Sequence, residues 1–298
     1  MFRYEIINLL IKKNNYKSYL EIGVRNPGDC FDHIDCQVKH GVDPGIEGEF
    51  PVTFRMTSDD FFKINESKYD LIFIDGLHLD FQVEKDIINS LKSLNNNGSI
   101  MLHDCNPPTE YHARDNYSDV STPAEGFWNG SVWKAVVKIR SEIDGIYTSV
   151  IDSDWGVGLI QKNNHSNKIT NYNPYFSYLE FNKNVSYYLN LITPFQFVNQ
   201  YIVELDEQAL THRNSSSLYS IALSELEKNV TDSNKSSSIE LNQNLLLNEN
   251  YRLQKSLKEK NQEIKELYQR VEEKNQEIEI IKKTSIFKII KQRFFYKL

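Results

Sequence analysis

YDLIFIDGLH, residues 69–78, is the stretch whose reading decides the fold. Leu71, Ile72, Phe73 and Ile74 are apolar without alternation, the pattern of a parallel strand buried on both faces, and the run breaks into Asp75, Gly76 and His78. In open α/β sheets ligands lie beyond the carboxyl ends of the strands, so Asp75 and His78 stand where a ligand is reached. GSIMLHD, residues 98–104, has the same shape, an apolar strand closing on His103 and Asp104. Between the two, Phe81, Val83, Ile87, Ile88, Leu91 and Leu94 recur at helical spacing, with Gly98 as the expected stop.

Working outward, FRYEIINLLIKK reads as an amphipathic helix, and SYLEIG (18–23) as a strand ending at Glu21 and Gly23 before a turn through Gly28. QVKHGVDPG (37–45) is a second strand closed by Asp43, and VTFRM (52–56) reads as a third. Thr57 or Ser58 then caps a short helix that carries Asp59 and Asp60. SVWKAVVKIRSEI is a helix, and residues 145–162 are two strands joined too tightly for anything but an antiparallel hairpin. The expectation is a Rossmann-like, mostly parallel seven-stranded α/β sheet that ends in this antiparallel hairpin, its reversed strand at the edge.

The loop 105–130 is long enough to expect a functional lid. Trp128, Asn129 and Trp133 flank its return and suit the face of a sugar ring, although tryptophans that anchor a helix are the commoner case. His112 and Arg114 would meet an anionic group or water, and Cys105 reads as a packing residue.

Residues 1–163 thus form the sheet domain, 164–228 an aromatic-rich helical extension packed on it, and 229–238 a polar linker. Over 239–283 apolar residues recur every seventh position at Leu257, Ile264, Val271 and Ile278, with Leu246, Leu253, Leu267 and Ile281 in the second seam. KNQEI stands at 260–264 and again at 274–278. A coiled coil follows, with self-association as its role; Lys260, Lys274 and Asn250 weaken the seams. Residues 284–298 mix Ile286, Phe287, Ile289, Ile290, Phe294 and Phe295 with basic residues, the composition of a helix lying on an anionic membrane surface.

The net charge of -7 argues against general nucleic-acid binding. Three cysteines without zinc-site spacing, and no signal-peptide core, point to a reducing cytoplasmic setting, peripheral at the inner face of the plasma membrane if the tail binds lipid. No run is long and apolar enough for a spanning helix.

YLEIG…GVDPG, FIDGLH and HDCNPP, in this order and spacing, resemble a class I S-adenosylmethionine-dependent methyltransferase, more narrowly the bacterial branch found in polysaccharide and antibiotic tailoring. The resemblance covers about residues 16–163. It implies S-adenosylmethionine as cofactor, held by Glu21, Gly23 and Gly28 at its methionine end, by Asp43 at the ribose and by Asp59 or Asp60 at the adenine, with Asp75 close by. It also implies a divalent cation such as Mg²⁺ on Asp75 and Asp104, a general base at His78 or His103, and a sugar, glycan or small-molecule hydroxyl as acceptor. The turn Gly23-Val-Arg-Asn-Pro-Gly28 departs from the family's shorter, more glycine-rich turn, and fails the G-x-G-x-x-G fingerprint. An NAD(P)-dependent nucleotide-sugar oxidoreductase is therefore the second reading, and a non-catalytic coiled-coil scaffold the third.

Overall fold

In the structure, a computed structural model, residues 1–205 are described, apart from 49, 164, 171, 173, 174 and 176, together with residues 215–231. The coiled coil expected at 239–283, the tail at 284–298 and the linker beyond residue 231 lie outside the described residues.

The apolar run at 69–74 becomes a strand covered on both faces, β3 (Tyr69–Ile74), flanked by β1 (Ser18–Ile22) and β4 (Leu94–Leu102). β2 (Val38–Val42) pairs with β1, and all three pairings are parallel. Beyond β4 come β6 (Val157–Lys162), β5 (Ile146–Ile151) and the two-residue β7 (Leu191–Ile192), giving the order β2-β1-β3-β4-β6-β5-β7.

Alternate residues of each strand feed the two faces. Leu20, Ile22, Ile72, Ile74, Ile100 and Leu102 pack with Val83 and Ile87 of α3 (Asp80–Ser93) and with Trp133 and Val136 of α4 (Val132–Glu142). Phe61 of α2 (Ser58–Ile64) joins that face. On the other face Tyr19, Leu71, Phe73 and Met101 pack with Ile6, Ile7 and Leu10 of α1 (Arg3–Asn14).

The stretch after β6 holds α5 (Tyr178–Lys183), α6 (Val185–Leu189) and α7 (Pro194–Phe197), then a π-helical turn at Val198–Ile202. Arg140 of α4 ties this stretch down by donating to the carbonyls of Asn167 and Tyr188 at 3.1 and 3.0 Å. α8 (Ser215–Thr231) lays Leu218, Ala222 and Leu226 into the α1 face. It therefore carries helix into the first residues of the expected linker. Among the described residues no helix is long and apolar enough to cross a membrane.

The sheet departs from expectation in three places. VTFRM is not a strand: Phe54 alone bridges Val42, and the side chain of Thr53 takes the Gly41 N–H that a ladder would use, at 3.0 Å. The seventh strand is β7 instead. The reversed strand β6 is not at the edge but antiparallel to both β4 and β5, inside the sheet. Gly98 lies within β4 rather than after α3, and a Cβ there would meet the Asp70 carbonyl at 2.8 Å.

Candidate active site

β1, β2, β3 and β4 end on one rim of the sheet, and a cavity of about 690 Å³ opens there. Gly23, where the chain leaves β1, has φ +88°, and a Cβ would stand 2.3 Å from the Asp75 carbonyl oxygen. Only glycine permits that crossing of the β1 and β3 ends.

The parallel strands bring Asp75 and Asp104 to neighbouring positions. Asp104 itself is held at φ +59°, in the left-handed region that a buried aspartate visits only under constraint. His78 bridges the two acids, Nε2 lying 3.2 Å from Asp75 Oδ1 and Nδ1 3.4 Å from Asp104 Oδ2, while its ring stacks on Trp128. His103 sits deeper: Nδ1 is 3.1 Å from Asp104 Oδ2 and 3.3 Å from Asp75 Oδ1. Its Nε2 is 3.2 Å from Arg3 Nη1 and 3.7 Å from Asp154 Oδ1.

Burial works against charge at Asp75, His78, His103 and Asp154, and their partners outweigh it. The charge of His103 and hydrogen bonds from both imidazoles hold the Asp75 carboxyl well below the usual carboxylate range. A hydrogen bond to Asp75, with the charges of Asp104 and Asp75, raises His78 against its own burial. The charges of Asp75 and Asp104 raise His103 likewise. Asp154 is lowered by its bond to His103 and by Arg3, again against burial.

The β1 side behaves differently. Burial pushes Glu21 up to about 8, although the Tyr19 hydroxyl donates to it at 2.5 Å. Asp43 accepts from the backbone N–H groups of Arg25 at 2.8 Å and Gly45 at 2.6 Å. Asp59 lines the cavity and takes the Gln82 amide at 3.0 Å; its neighbour Asp60 serves the Thr57 cap and Lys63 and is not among the described lining residues. Gly28 is not among them either, standing in the 3-10 turn Pro27–Asp29, whose Asp29 does line the cavity.

The lid folds over this rim. Ser131 N donates to the His78 carbonyl at 2.8 Å, and a Cβ on Gly130 would come 2.0 Å from that oxygen. Asn129, fully buried, donates to Asp104 Oδ1 at 2.8 Å, while its own Oδ1 has no hydrogen-bond partner. Arg114 faces inward, donating to the carbonyls of Tyr111, Phe127 and Glu125 at 2.7–2.8 Å, so it braces the loop instead of meeting an anion. Trp133 is core, packed on Phe181 at 4.3 Å between ring centroids, and it leaves Trp128 as the lid tryptophan at the cavity. Cys105 is buried, its Sγ donating to the His103 carbonyl at 3.5 Å.

Asp75, His78 and Asp104 each bring one potential ligand atom within 4.8 Å of the others. Two carboxylates, and the buried acceptor Asn129 Oδ1 left without a donor, fit a hard divalent cation.

Arg3, Asp154 and Trp155 were not legible as site residues. Arg3 lies on a helix whose sequence shows only an amphipathic stripe, and its partners are 72 to 151 positions away. Asp154 and Trp155 sit in the β5–β6 turn, both at positive φ, and the only trace of this in the sequence is Gly156 after them.

Residues 23–105 match a family model described as a methyltransferase domain. That span holds Gly23, Asp43, Asp59, Asp75, His78, His103 and Asp104. No curated protein matches the chain. Among solved structures the chain is similar to an S-adenosylhomocysteine-bound methyltransferase from Podospora anserina, with 17% identity over 54% of this chain and 76% of that one and a TM-score of 0.38. It is similar as well to an O-methyltransferase of tomaymycin synthesis from Streptomyces achromogenes, in complex with S-adenosylmethionine (12% identity, 54% and 79% covered, TM-score 0.37). A third is an O-methyltransferase from Bacillus cereus in complex with S-adenosylhomocysteine (13% identity, 54% and 80% covered, TM-score 0.36).

Proposed function

We propose that this chain is an S-adenosylmethionine-dependent O-methyltransferase acting on a sugar or glycan hydroxyl in cell-surface polysaccharide biosynthesis. The observation that carries the reading is the Asp75–His78–His103–Asp104 cluster, facing a cavity at the strand ends inside the span that matches a methyltransferase domain.

Glu21, Asp43 and Asp59 line the β1 side, where an adenosyl cofactor's ammonium, ribose and adenine find acceptors, and Gly23 lets backbone approach it. Bound there, S-adenosylmethionine supplies the methyl group. Asp75 and Asp104 would hold a divalent cation, which lowers the pKa of a coordinated hydroxyl. His78, on the cavity wall, accepts the hydroxyl proton. His103, enclosed by Asp75, Asp104, Asp154 and Arg3, is a positioning residue that fixes the two acids. Asn129 orients Asp104, and the lid excludes water.

Two features favour a neutral polyhydroxy acceptor. Phe127, 61% exposed, stacks on Trp155 at 5.7 Å, and Tyr117 packs on Trp128 at 5.3 Å, all four lining the cavity and offering aromatic faces to the C–H face of a sugar. Among the described lining residues the arginine and lysine cations are Arg3, whose side chain is 17% exposed between Asp75 and Asp154, and Arg25, the exposed one, which is paired with Asp29, so no exposed cation there is left to attract a phosphorylated acceptor.

The test is transfer of radiolabelled methyl from S-adenosylmethionine to cell-envelope polysaccharide; a label no higher than with D75N overturns the reading. Full activity in EDTA removes the cation from it.

The proposal extends to residues 239–283 as a coiled coil that assembles the protein and to 284–298 as a foot on the cytoplasmic face of the plasma membrane. Sedimentation with and without 239–298, and flotation with anionic liposomes with and without 284–298, test the two parts; unchanged results remove them.

A further inference from the structure

Arg3 lines the cavity with a guanidinium that is only half engaged. The hydrogen bonds of its guanidinium leave from Nη1, to Asp154 Oδ2 at 3.3 Å and to Asp154 Oδ1 at 3.5 Å; His103 Nε2, 3.2 Å from the same nitrogen, faces Asp154 as well. Nε is buried and has no hydrogen-bond partner; Asp75 Oδ2, at 3.7 Å, is beyond hydrogen-bond range. The Nε–Nη2 edge is the fork that takes a carboxylate in two parallel bonds.

The fork is also held in place. Arg3 N donates to Asp154 Oδ2 at 2.8 Å, and the Met1 amino group donates to Ser153 Oγ at 3.0 Å, which fastens the start of α1 to the β5–β6 turn. Glu21 lies near enough that Arg3 pulls on its ionisation. The cavity floor thus presents a carboxyl and an unfilled guanidinium edge beside Gly23, a complement to the ammonium and carboxylate of an α-amino acid. Arg25, the other arginine of the lining, is 62% exposed and paired with Asp29, so it offers no comparable buried edge.

We propose that Arg3 receives the α-carboxylate of the cofactor's amino-acid end, opposite Glu21 at the ammonium. This rests on the cofactor reading above. S-adenosylhomocysteine has the amino-acid end and 5′-methylthioadenosine lacks it, so the two probes separate this contact from the rest of the cavity.

The experiment is calorimetric titration of the full chain with both probes. Arg3→Ala is expected to weaken S-adenosylhomocysteine about 10- to 100-fold, the weight of a charge-assisted pair of bonds, and to leave 5′-methylthioadenosine within about 2-fold. Equal weakening of both, or of neither, overturns the proposal and returns the guanidinium to Asp75. If Arg3→Ala binds neither probe because its fold is lost, Arg3→Lys decides. Lysine keeps the charge toward Asp75 and Asp154 but not the fork, so S-adenosylhomocysteine must weaken about 5-fold or more with the smaller probe unchanged. Wild-type affinity for both in Arg3→Lys overturns it. A wild-type chain that binds 5′-methylthioadenosine but no tighter to S-adenosylhomocysteine also overturns it, while leaving an adenosyl site in place; binding of neither probe removes the cofactor reading itself.

Discussion

The two sides of the cavity are built on opposite principles. On the β1–β2 side Asp43 is satisfied by amides two and eighteen positions away in the turns it closes. On the β3–β4 side Asp75 and Asp104 share two imidazoles, and Asp75 also faces Arg3 of α1, which Asp154 holds in place. A local turn makes a fixed receptor that tolerates change piecemeal. A web of mutually dependent charges does not, because removing one member leaves others buried and unbalanced.

Substitutions should expose that contrast. Asp75→Asn, which breaks the web, is expected to lower kcat on the order of 10³-fold while S-adenosylhomocysteine affinity, read by calorimetry, moves only several-fold. A fall of less than tenfold would mean that the web is only structural.

Glu21 comes next. Its folded pKa of about 8 exceeds the ordinary 4.5, so the folded chain keeps a proton that the unfolded chain gives up. Stability of the ligand-free protein should therefore be greatest below pH 4.5 as far as this group is concerned and decline as pH rises toward 8, by a few kcal/mol. Glu21→Gln should remove that slope in Tm against pH; parallel curves for the two proteins would place the Glu21 proton elsewhere.

On the locally built side Asp43→Asn should weaken S-adenosylhomocysteine only about 10-fold and leave kcat at saturation unchanged, since one turn contact and one ligand contact are lost. A large drop in kcat would join Asp43 to the web. The smallest effect belongs to Lys12, whose 2.8 Å bridge to Glu227 is exposed on both partners: Lys12→Ala should cost less than about 1 kcal/mol in urea unfolding.

The same contrast governs what the sequence could reveal. Continuous apolar runs at 71–74 and 100–102 announce buried parallel strands, and the polar residues that follow them mark the rim, so Asp75, His78, His103 and Asp104 were found as a group. Pairing order has no such signature. β6 alternates no differently inside the sheet than it would at its edge, and β7 is two residues held by β5, so neither was placed correctly. VTFRM carries a strand's composition, yet Thr53 hydroxyl chemistry and one bridge at Phe54 are all that reach the sheet. Arg3 and Asp154 are functional neighbours only after folding brings α1 against the β5–β6 turn.

Arg114 has a consequence for which substitutions the loop above the site tolerates. Its guanidinium binds main-chain oxygens of Tyr111, Glu125 and Phe127, atoms that every residue type possesses. The bracing is thus indifferent to the side chains at those positions. Tyr111 and Phe127 are exposed, and exchanging either side chain leaves these main-chain bonds in place, although Phe127 would give up its stack on Trp155. The arrangement is a cassette: one side-chain clasp, holding main-chain atoms alone, under a surface whose composition the clasp does not dictate.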